Sequence, residues 1–168
     1  MGSNVSIRFA AMALGAVLLA GAQKPAMAQA SPTYNLSVQS NQKFLAENAA
    51  KKGVVKRPSG LQYRVITGGH GKSIKSAGDI VTVTYKGRLI DGKVFDQTQP
   101  GQTAHFPAGR LIPGWVEALR LMKEGDEWEL VIPASLGYGA AGAGDAIPPN
   151  QTLVFDMKLI AVAPPPMP

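Results

Sequence analysis

The chain has no cysteine among its 168 residues. Disulfide staples, thiol nucleophiles and cysteine-ligated metals are excluded, so the fold must be held together by its core. A domain of ~110 residues can do that without staples. Histidine is nearly as scarce. His70 lies in GGHG and His105 in AHFP, and neither has a Cys, Asp or His partner at metal-ligand or triad spacing. Both read as solvent-exposed side chains. Charged residues make up only 17% of the chain, with no stripe of Lys and Arg interleaved with aromatics, so a nucleic-acid surface is not expected. The glycines form neither GxxxxGK(S/T) nor a GxGxxG that opens a helix after a strand. Hydrolase, kinase and dinucleotide chemistries therefore fall away together. An enzyme built from these residues must work without a nucleophile, metal or cofactor.

What is present begins with an export-like leader. Arg8 supplies a positive start, and Phe9 to Ala22 form an apolar stretch rich in Ala and Leu. At about fourteen residues it is too short to span a bilayer, which takes ~20 helical residues. Small residues then recur at the spacing a signal peptidase accepts, Ala26-Met27-Ala28 or Ala28-Gln29-Ala30. A signal peptide over 1–30 is the expectation, with no stable membrane insertion after its removal. A retained anchor and N-myristoylation of MGSNVS are the competing readings. Export points to the periplasm first and to secretion second. The formal charge is +6, and two of the seventeen basic residues, Arg8 and Lys24, belong to the leader. The remainder is mildly basic. With 45% hydrophobic residues it has the composition of a globular protein.

Beyond the leader, residues 31–52 read as a polar lead followed by a short helix over Asn41 to Lys52, capped by Ser40 and ended at Gly53. Period-two alternation then marks half-buried strands. Leu61, Tyr63 and Val65 alternate with Gln62, Arg64 and Ile66, and Val81, Val83 and Tyr85 with Thr82, Thr84 and Lys86. Trp128, Leu130 and Ile132 form a third series, and Leu153, Phe155, Met157 and Leu159 a fourth. Asp91-Gly92 is a tight-turn dipeptide leading into Val94-Phe95. Ile112-Pro113-Gly114 breaks the strand pattern before a helix of barely two turns, Trp115 to Leu121, with Gly125 beyond it. Between the last two strand series lies the loop Pro133 to Gln151. It is long enough to be functional, nearly uncharged, and carries one tyrosine, Tyr138, between two glycines. Such a flap suits a neutral ligand. Internal repeats are absent, and APPPMP closes the chain as a tail that cannot be helical.

Three of these segments together closely resemble the FKBP-type peptidyl-prolyl isomerases. They are VTVTYKGRLIDGKVFD from Val81, LIPGWVEAL from Leu111, and the flap with its IPPNQTLVFD ending. They stand in that family's order and spacing. The stretch from Asn41 through SGLQYRVITGG is similar to the join in the bacterial branch that includes the macrophage infectivity potentiator proteins. That branch carries a long dimerising helix before the join. Here only about a dozen helical residues fit, so a monomer is expected. The resemblance implies an α+β fold in which a curled antiparallel half-barrel sheet wraps around one short helix. It places the isomerase domain at 53–163 and the proline-rich tail at 164–168.

The resemblance also implies the site. Asp96, Trp115, Tyr138 and Phe155 would be the catalytic group, with Trp115 as the floor beneath the proline ring and Asp96 as a polar, orienting carboxylate. Tyr85, Phe95 and Phe106 would join Phe155 in the walls. Leu111 and Ile112 would line the entrance, with the Ile112 N–H donating to a substrate carbonyl. Tyr138 would donate to a second carbonyl, and Ile147 would pack on the ligand from the flap. Each aromatic has an alternative role as plain core, and Asp96 as a turn residue. The implied activity is rotation about X-Pro bonds of folding exported chains, with no metal and no cofactor. Proline-containing polypeptides would be the partners and macrolide inhibitors further ligands. Ala104 and Ala143 stand where the commoner pattern has an aromatic wall and a flap histidine, and Ala146 where it has a larger aliphatic residue. A wider pocket follows, with macrolide affinity left open. The alternative is the same fold acting as a chaperone or binding module with weak catalysis. Inactive members typically lose the equivalents of Trp115, Tyr138 or Asp96, and this chain has all three.

Overall fold

A computed structural model of the chain describes residues 34–166. The leader expected over 1–30 and the last two residues of the tail lie outside that range. The described elements are a helix α1 (Val38–Ala49), strands β1 (Val54–Lys56), β2 (Gln62–Thr67), β3 (Ile80–Arg88), β4 (Val94–Gln97) and β5 (Ala104–Pro107), a helix α2 (Pro113–Leu121), then β6 (Glu127–Ile132) and β7 (Leu153–Ala163). Two single 3₁₀ turns, Ala134–Leu136 and Gly139–Ala141, lie in the flap.

All strand pairings are antiparallel. The sheet order is β1-β2-β6-β7-β3-β4, and β5 also pairs with β3, beyond the end of β4. Paired residues share a face, and that face alternates along each strand. Tyr63, Leu130, Phe155, Gly87 and Asp96 therefore form one row across the inner face. The next inner row is Val65, Trp128, Met157 and Tyr85. Val83 with Leu159 and Ala104, and Val81 with Val162 and Phe106, continue the same face towards β5. This inner face carries the core, and Trp115, Ala118 and Leu119 of α2 are buried within it. The curled sheet around a short helix is the expected α+β architecture. Pro113 opens α2, where its missing N–H costs nothing, so the helix starts two residues before the expected Trp115.

The turn at Asp91-Gly92 forms as expected, with Gly92 at φ 89°. Two departures are informative. The first concerns α1, which runs Val38–Ala49 rather than Asn41–Lys52. Its cap is Ser37, whose Oγ accepts the Ser40 N–H at 3.1 Å, instead of Ser40. Residues 35–37 were expected in a loose lead. They are held by Asn35 Oδ1, which accepts from the Ser37 N–H, and by the Leu36 carbonyl, which accepts from Gln151.

The second departure concerns burial. Val131 and Val154 point to the outer face yet are 1% and 3% exposed. They share that face with Gln62, whose side chain donates to the Leu45 carbonyl of α1 at 2.9 Å. Helix α1 thus covers this end of the outer face. Two residues further along, the outer face is ionic: Glu129 bridges Arg64 and Arg88 at 3.2 Å each, and Arg88 also pairs with Asp156. Arg64 and Asp156 are exposed while Arg88 and Glu129 are half-buried, and surface pairs of this kind are typically worth about 1 kcal/mol or less each. At the far end of β2 the alternation fails in the other direction. Val65 and Ile66 are about half exposed, where a bulge before Thr67 breaks the pairing with β6.

Candidate functional site

The edge of the inner face formed by β3, β4 and β5 is where the expected residues meet. The register shift between Gly87 and Arg88 leaves an extra residue in β4 at Phe95. A bulge of this kind re-aims a side chain, and here both Phe95 and Asp96 face inward. Gly87 permits this. A Cβ there would lie 2.6 Å from the Phe155 ring and 2.7 Å from the Phe95 ring, so only glycine lets the two rings close over the strand. Phe95 and Phe155 meet nearly perpendicular, their centroids 5.5 Å apart.

Trp115, in the first turn of α2, stands against three more nearly perpendicular rings. Tyr85 is 5.0 Å away, Phe155 5.1 Å and Phe106 6.1 Å. Perpendicular pairs bring the positive edge of one ring to the negative face of another, and each adds about 0.5–1.5 kcal/mol beyond burial. The indole is 4% exposed, and its Nε1 is buried without a hydrogen-bond partner among the described residues. Trp128 stands apart from this cluster, stacked on Tyr63 at 4.3 Å.

Polar groups enter this apolar setting sparingly. The Tyr85 hydroxyl donates to Asp96 Oδ2 at 2.6 Å. Burial, then this bond and the Asp96 charge, push the Tyr85 phenol far above its ordinary range. Burial and the Asp96 charge also raise Tyr138. Both phenols therefore remain O–H donors at neutral pH. Asp96 and Tyr138 come from β4 and the flap, forty-two residues apart, yet are close enough to interact electrostatically. The Tyr138 hydroxyl makes no hydrogen bond among the described residues. Ile112 caps α2 with its backbone only. Its carbonyl accepts from the Trp115 and Val116 N–H groups, and its own N–H has no partner among the described residues.

The flap is folded on itself. Ala143 and Ile147 exchange backbone hydrogen bonds at 2.8 and 3.2 Å, and the Asn150 N–H donates to the Gly139 carbonyl at 2.8 Å. Gly142, at φ 65°, sits so close to the Ile147 carbonyl that a Cβ would be 2.4 Å from it. Ile147, on the flap, is 1% exposed and packs with the core cluster that includes Trp115 and Phe155. Leu111, Ile112, Tyr138, Ala104, Ala143 and Ala146 are partly buried against that core. The other expected residues, Tyr85, Phe95, Asp96, Phe106, Trp115 and Phe155, come together as described. The Tyr85–Asp96 bond was not foreseen, although the Asp-Gly turn fixes the register that creates it. A separate cavity of about 400 Å³, lined by Thr84, Gln97, Thr98, Gln99, Gln102 and Thr103 among others, holds none of the expected residues. Thr84 points away from Val83 and Tyr85, so this cavity belongs to the outer side of the sheet.

Comparison with known proteins converges on one family. The family profile described as FKBP-type peptidyl-prolyl cis-trans isomerase matches residues 71–160. A second profile, the domain amino terminal to such isomerases, matches residues 8–65. The FKBP-type 22 kDa peptidyl-prolyl cis-trans isomerase of Escherichia coli is 52% identical over 121 residues, which is 71% of this chain and 58% of that protein. The outer membrane protein MIP of Legionella longbeachae is 47% identical over 146 residues, 83% of this chain and 62% of that protein. The chain thus spans about 60% of the length of these curated relatives. A crystal structure of a peptidyl-prolyl cis-trans isomerase from Pseudomonas syringae superposes with a TM-score of 0.70 at 42% identity, covering 75% of this chain and 92% of the other. The aromatic cluster around Trp115 lies inside the matched span, and the chain belongs to the FKBP-type peptidyl-prolyl cis-trans isomerase family.

Proposed function

We propose that the chain catalyses cis/trans rotation about X-Pro peptide bonds, with the cluster around Trp115 as its proline site. The observation that carries this reading is the combination of a nearly closed aromatic cluster with two unpaired donors at its rim, the Tyr138 hydroxyl and the Ile112 N–H. Rotation costs ~18–20 kcal/mol because it breaks amide resonance. The end states of an X-Pro bond are nearly balanced, so only the rate is wanting. The planar amide is the more polar form, and water stabilises it. A site that excludes water favours the twisted form, and selective binding of that form is the catalysis.

Each residue has a place in that scheme. Trp115 is the floor for the proline ring, and Tyr85, Phe95, Phe106 and Phe155 are the walls. Leu111 and Ile112 form the entrance, and the Ile112 N–H holds one substrate carbonyl. Tyr138 holds the other. Asp96, fixed by Tyr85, orients the polar side of the amide. Ile147 packs on the ligand from the flap. No cofactor is invoked. The partners are proline-containing polypeptides, and the protein acts as a monomer. Ala104, Ala143 and Ala146 leave less apolar contact for a macrolide.

Acceleration of cis-to-trans conversion in a proline tetrapeptide is the deciding measurement. Wild-type protein should raise the rate catalytically. Trp115→Leu, checked to be folded, should lose more than tenfold in kcat/KM if the floor supplies over ~1.4 kcal/mol of transition-state binding. Peptide binding without acceleration would identify a binding or chaperone module instead.

The place of action is exported, with a leader over 1–30 removed after Ala28 or Ala30. The leader pattern supports this, and the relative from Legionella is named an outer membrane protein. Among the described residues no helix is long and apolar enough to cross a membrane. N-terminal sequencing of protein recovered from the cell envelope should begin at Gln29 or Ser31. An intact Met1 or Gly2 would remove the claim.

A further inference from the structure

We infer that Asn41 is a positioning residue for the flap, so that helix α1 is part of the scaffold of the proline site and not a spacer before it. This rests on the reading above, in which the flap brings Tyr138 to the substrate. The inference starts from a buried polar network in a place where the sequence shows only a short helix. Asn41 and Gln151 are each 4% exposed, and Thr152 is 1% exposed. Asn41 Oδ1 accepts the Thr152 backbone N–H at 2.7 Å. Asn41 Nδ2 donates to Gln151 Oε1 at 3.1 Å and to the Ser37 carbonyl at 2.9 Å. Gln151 Nε2 spends its two hydrogens on the Leu36 and Pro149 carbonyls, both at 3.0 Å. The donors of both amides are fully used, and such closed networks rigidify the segments they join.

These partners are the anchor of the flap. Pro149, Gln151 and Thr152 surround Asn150, which has φ 60° and is the only non-glycine residue with positive φ among the described residues. Asparagine tolerates that left-handed conformation better than other non-glycine residues, and it marks a tight turn here. The Asn150 N–H donates to the Gly139 carbonyl, immediately after Tyr138. A continuous path therefore runs from α1 through Asn41, Gln151 and the Pro149–Thr152 turn to the backbone beside Tyr138. The network at the other end of α1 is separate. Asn48 Nδ2 donates to Gln62 Oε1 at 2.9 Å, and Gln62 donates to the Leu45 carbonyl. That second clamp holds α1 to β2 and touches no part of the flap.

The two clamps supply the test and its control. Asn41→Ala and Asn48→Ala each remove a buried amide from the same helix, and each introduces a better helix former. Both variants of the full chain are compared with wild type by amide hydrogen exchange and by kinetics on a proline peptide. Asn41→Ala should speed exchange at Asn150, Thr152 and Ile147 by about tenfold, the loss of roughly 1.4 kcal/mol of local protection. Inner-sheet amides such as Val83 should be unchanged. KM should rise about three- to tenfold with kcat within about twofold, because a loosened flap reduces the fraction of binding-competent molecules. Asn48→Ala should leave flap exchange and KM at wild-type values. Unchanged flap exchange in Asn41→Ala, or the same response in both variants, overturns the inference.

If Asn41→Ala does not fold, wild-type exchange decides. Amides of α1 and of the flap anchor should open with one shared protection factor, and a freely exchanging α1 beside a protected flap overturns the proposal. The exchange readout is independent of catalysis. Flap loosening in a chain without isomerase activity would sink the functional reading and leave the positioning role standing. An active chain whose flap ignores Asn41 would do the reverse.

Discussion

Tyr85 and Tyr138 illustrate how two phenols in one apolar setting divide the work. Tyr85 commits its hydroxyl to Asp96 at 2.6 Å and becomes wall and strut together. The Tyr138 hydroxyl makes no hydrogen bond among the described residues, and in the proposed scheme it holds a substrate carbonyl. Burial raises both pKa values, so neither phenol titrates near neutrality. Tyr138→Phe and Asp96→Ala should therefore lower kcat/KM only partially, since one neutral hydrogen bond is worth ~0.5–1.5 kcal/mol, a few-fold to about tenfold in rate. The pH–rate profile should stay nearly flat between pH 6 and 8, because the scheme invokes no general acid or base. Steady-state kinetics of the two variants across that range check both points. A bell-shaped profile, or abolition of activity on replacing His70 or His105, would show acid–base chemistry at work.

At the scale of elements, the turns are fastened by carboxylates. Glu124 accepts the Val162 N–H at 2.7 Å with one oxygen and the Lys72 N–H at 3.1 Å with the other, tying the segment before β3 to the end of β7. Those bonds, the one from Val162 first, lower its pKa below the ordinary 4.5. The unfolded chain therefore takes up a proton before the folded chain does. The stabilisation is present above the ordinary carboxylate range and is lost as pH falls through the folded value. Glu124→Gln should be less stable than wild type at pH 7 and should lose less on acidification to pH 3. Urea midpoints at the two pH values measure this.

The strands of the inner face were legible in the sequence, because Val81, Val83, Leu130, Phe155 and Met157 obey the period of two. The outer-face burial of Val131 and Val154 was not. It depends on α1 docking through Asn48 and Gln62, and polar residues that satisfy each other look like surface residues until they are paired. The start of α1 was misplaced for a related reason: Ser37 and Ser40 are equally good caps by residue type, and Asn35 and Gln151 decide between them. The residues of the proposed site were singled out because three motifs share an order with a family. Their mutual geometry, the Phe95 bulge above all, needed the register.

For the whole molecule, α1 lies on the sheet with its polar network turned inward, and its Tyr34–Phe44 contact at 5.1 Å is made within the chain. The helix is twelve residues long, and its docked side is not free to pair with a second copy. Sedimentation of the mature protein should give a monomer at all accessible concentrations. A concentration-independent dimer would mean that the sheet or flap itself associates.

The sheet order carries a consequence for the timing of synthesis. β7 is the last strand in chain order, yet it lies in the middle, between β6 and β3. Until Leu153–Ala163 is made, the strands exist only as two unconnected groups, β1-β2-β6 and β3-β4-β5, each with an open edge. The pairing of β3 with β7 joins residues 66 to 83 positions apart, from Arg88 with Val154 to Ile80 with Ala163, and closure over such separations is slow. The described sheet therefore cannot be completed before its final strand is available. When β7 arrives, it seats Phe155 over Gly87 and joins both groups in one step.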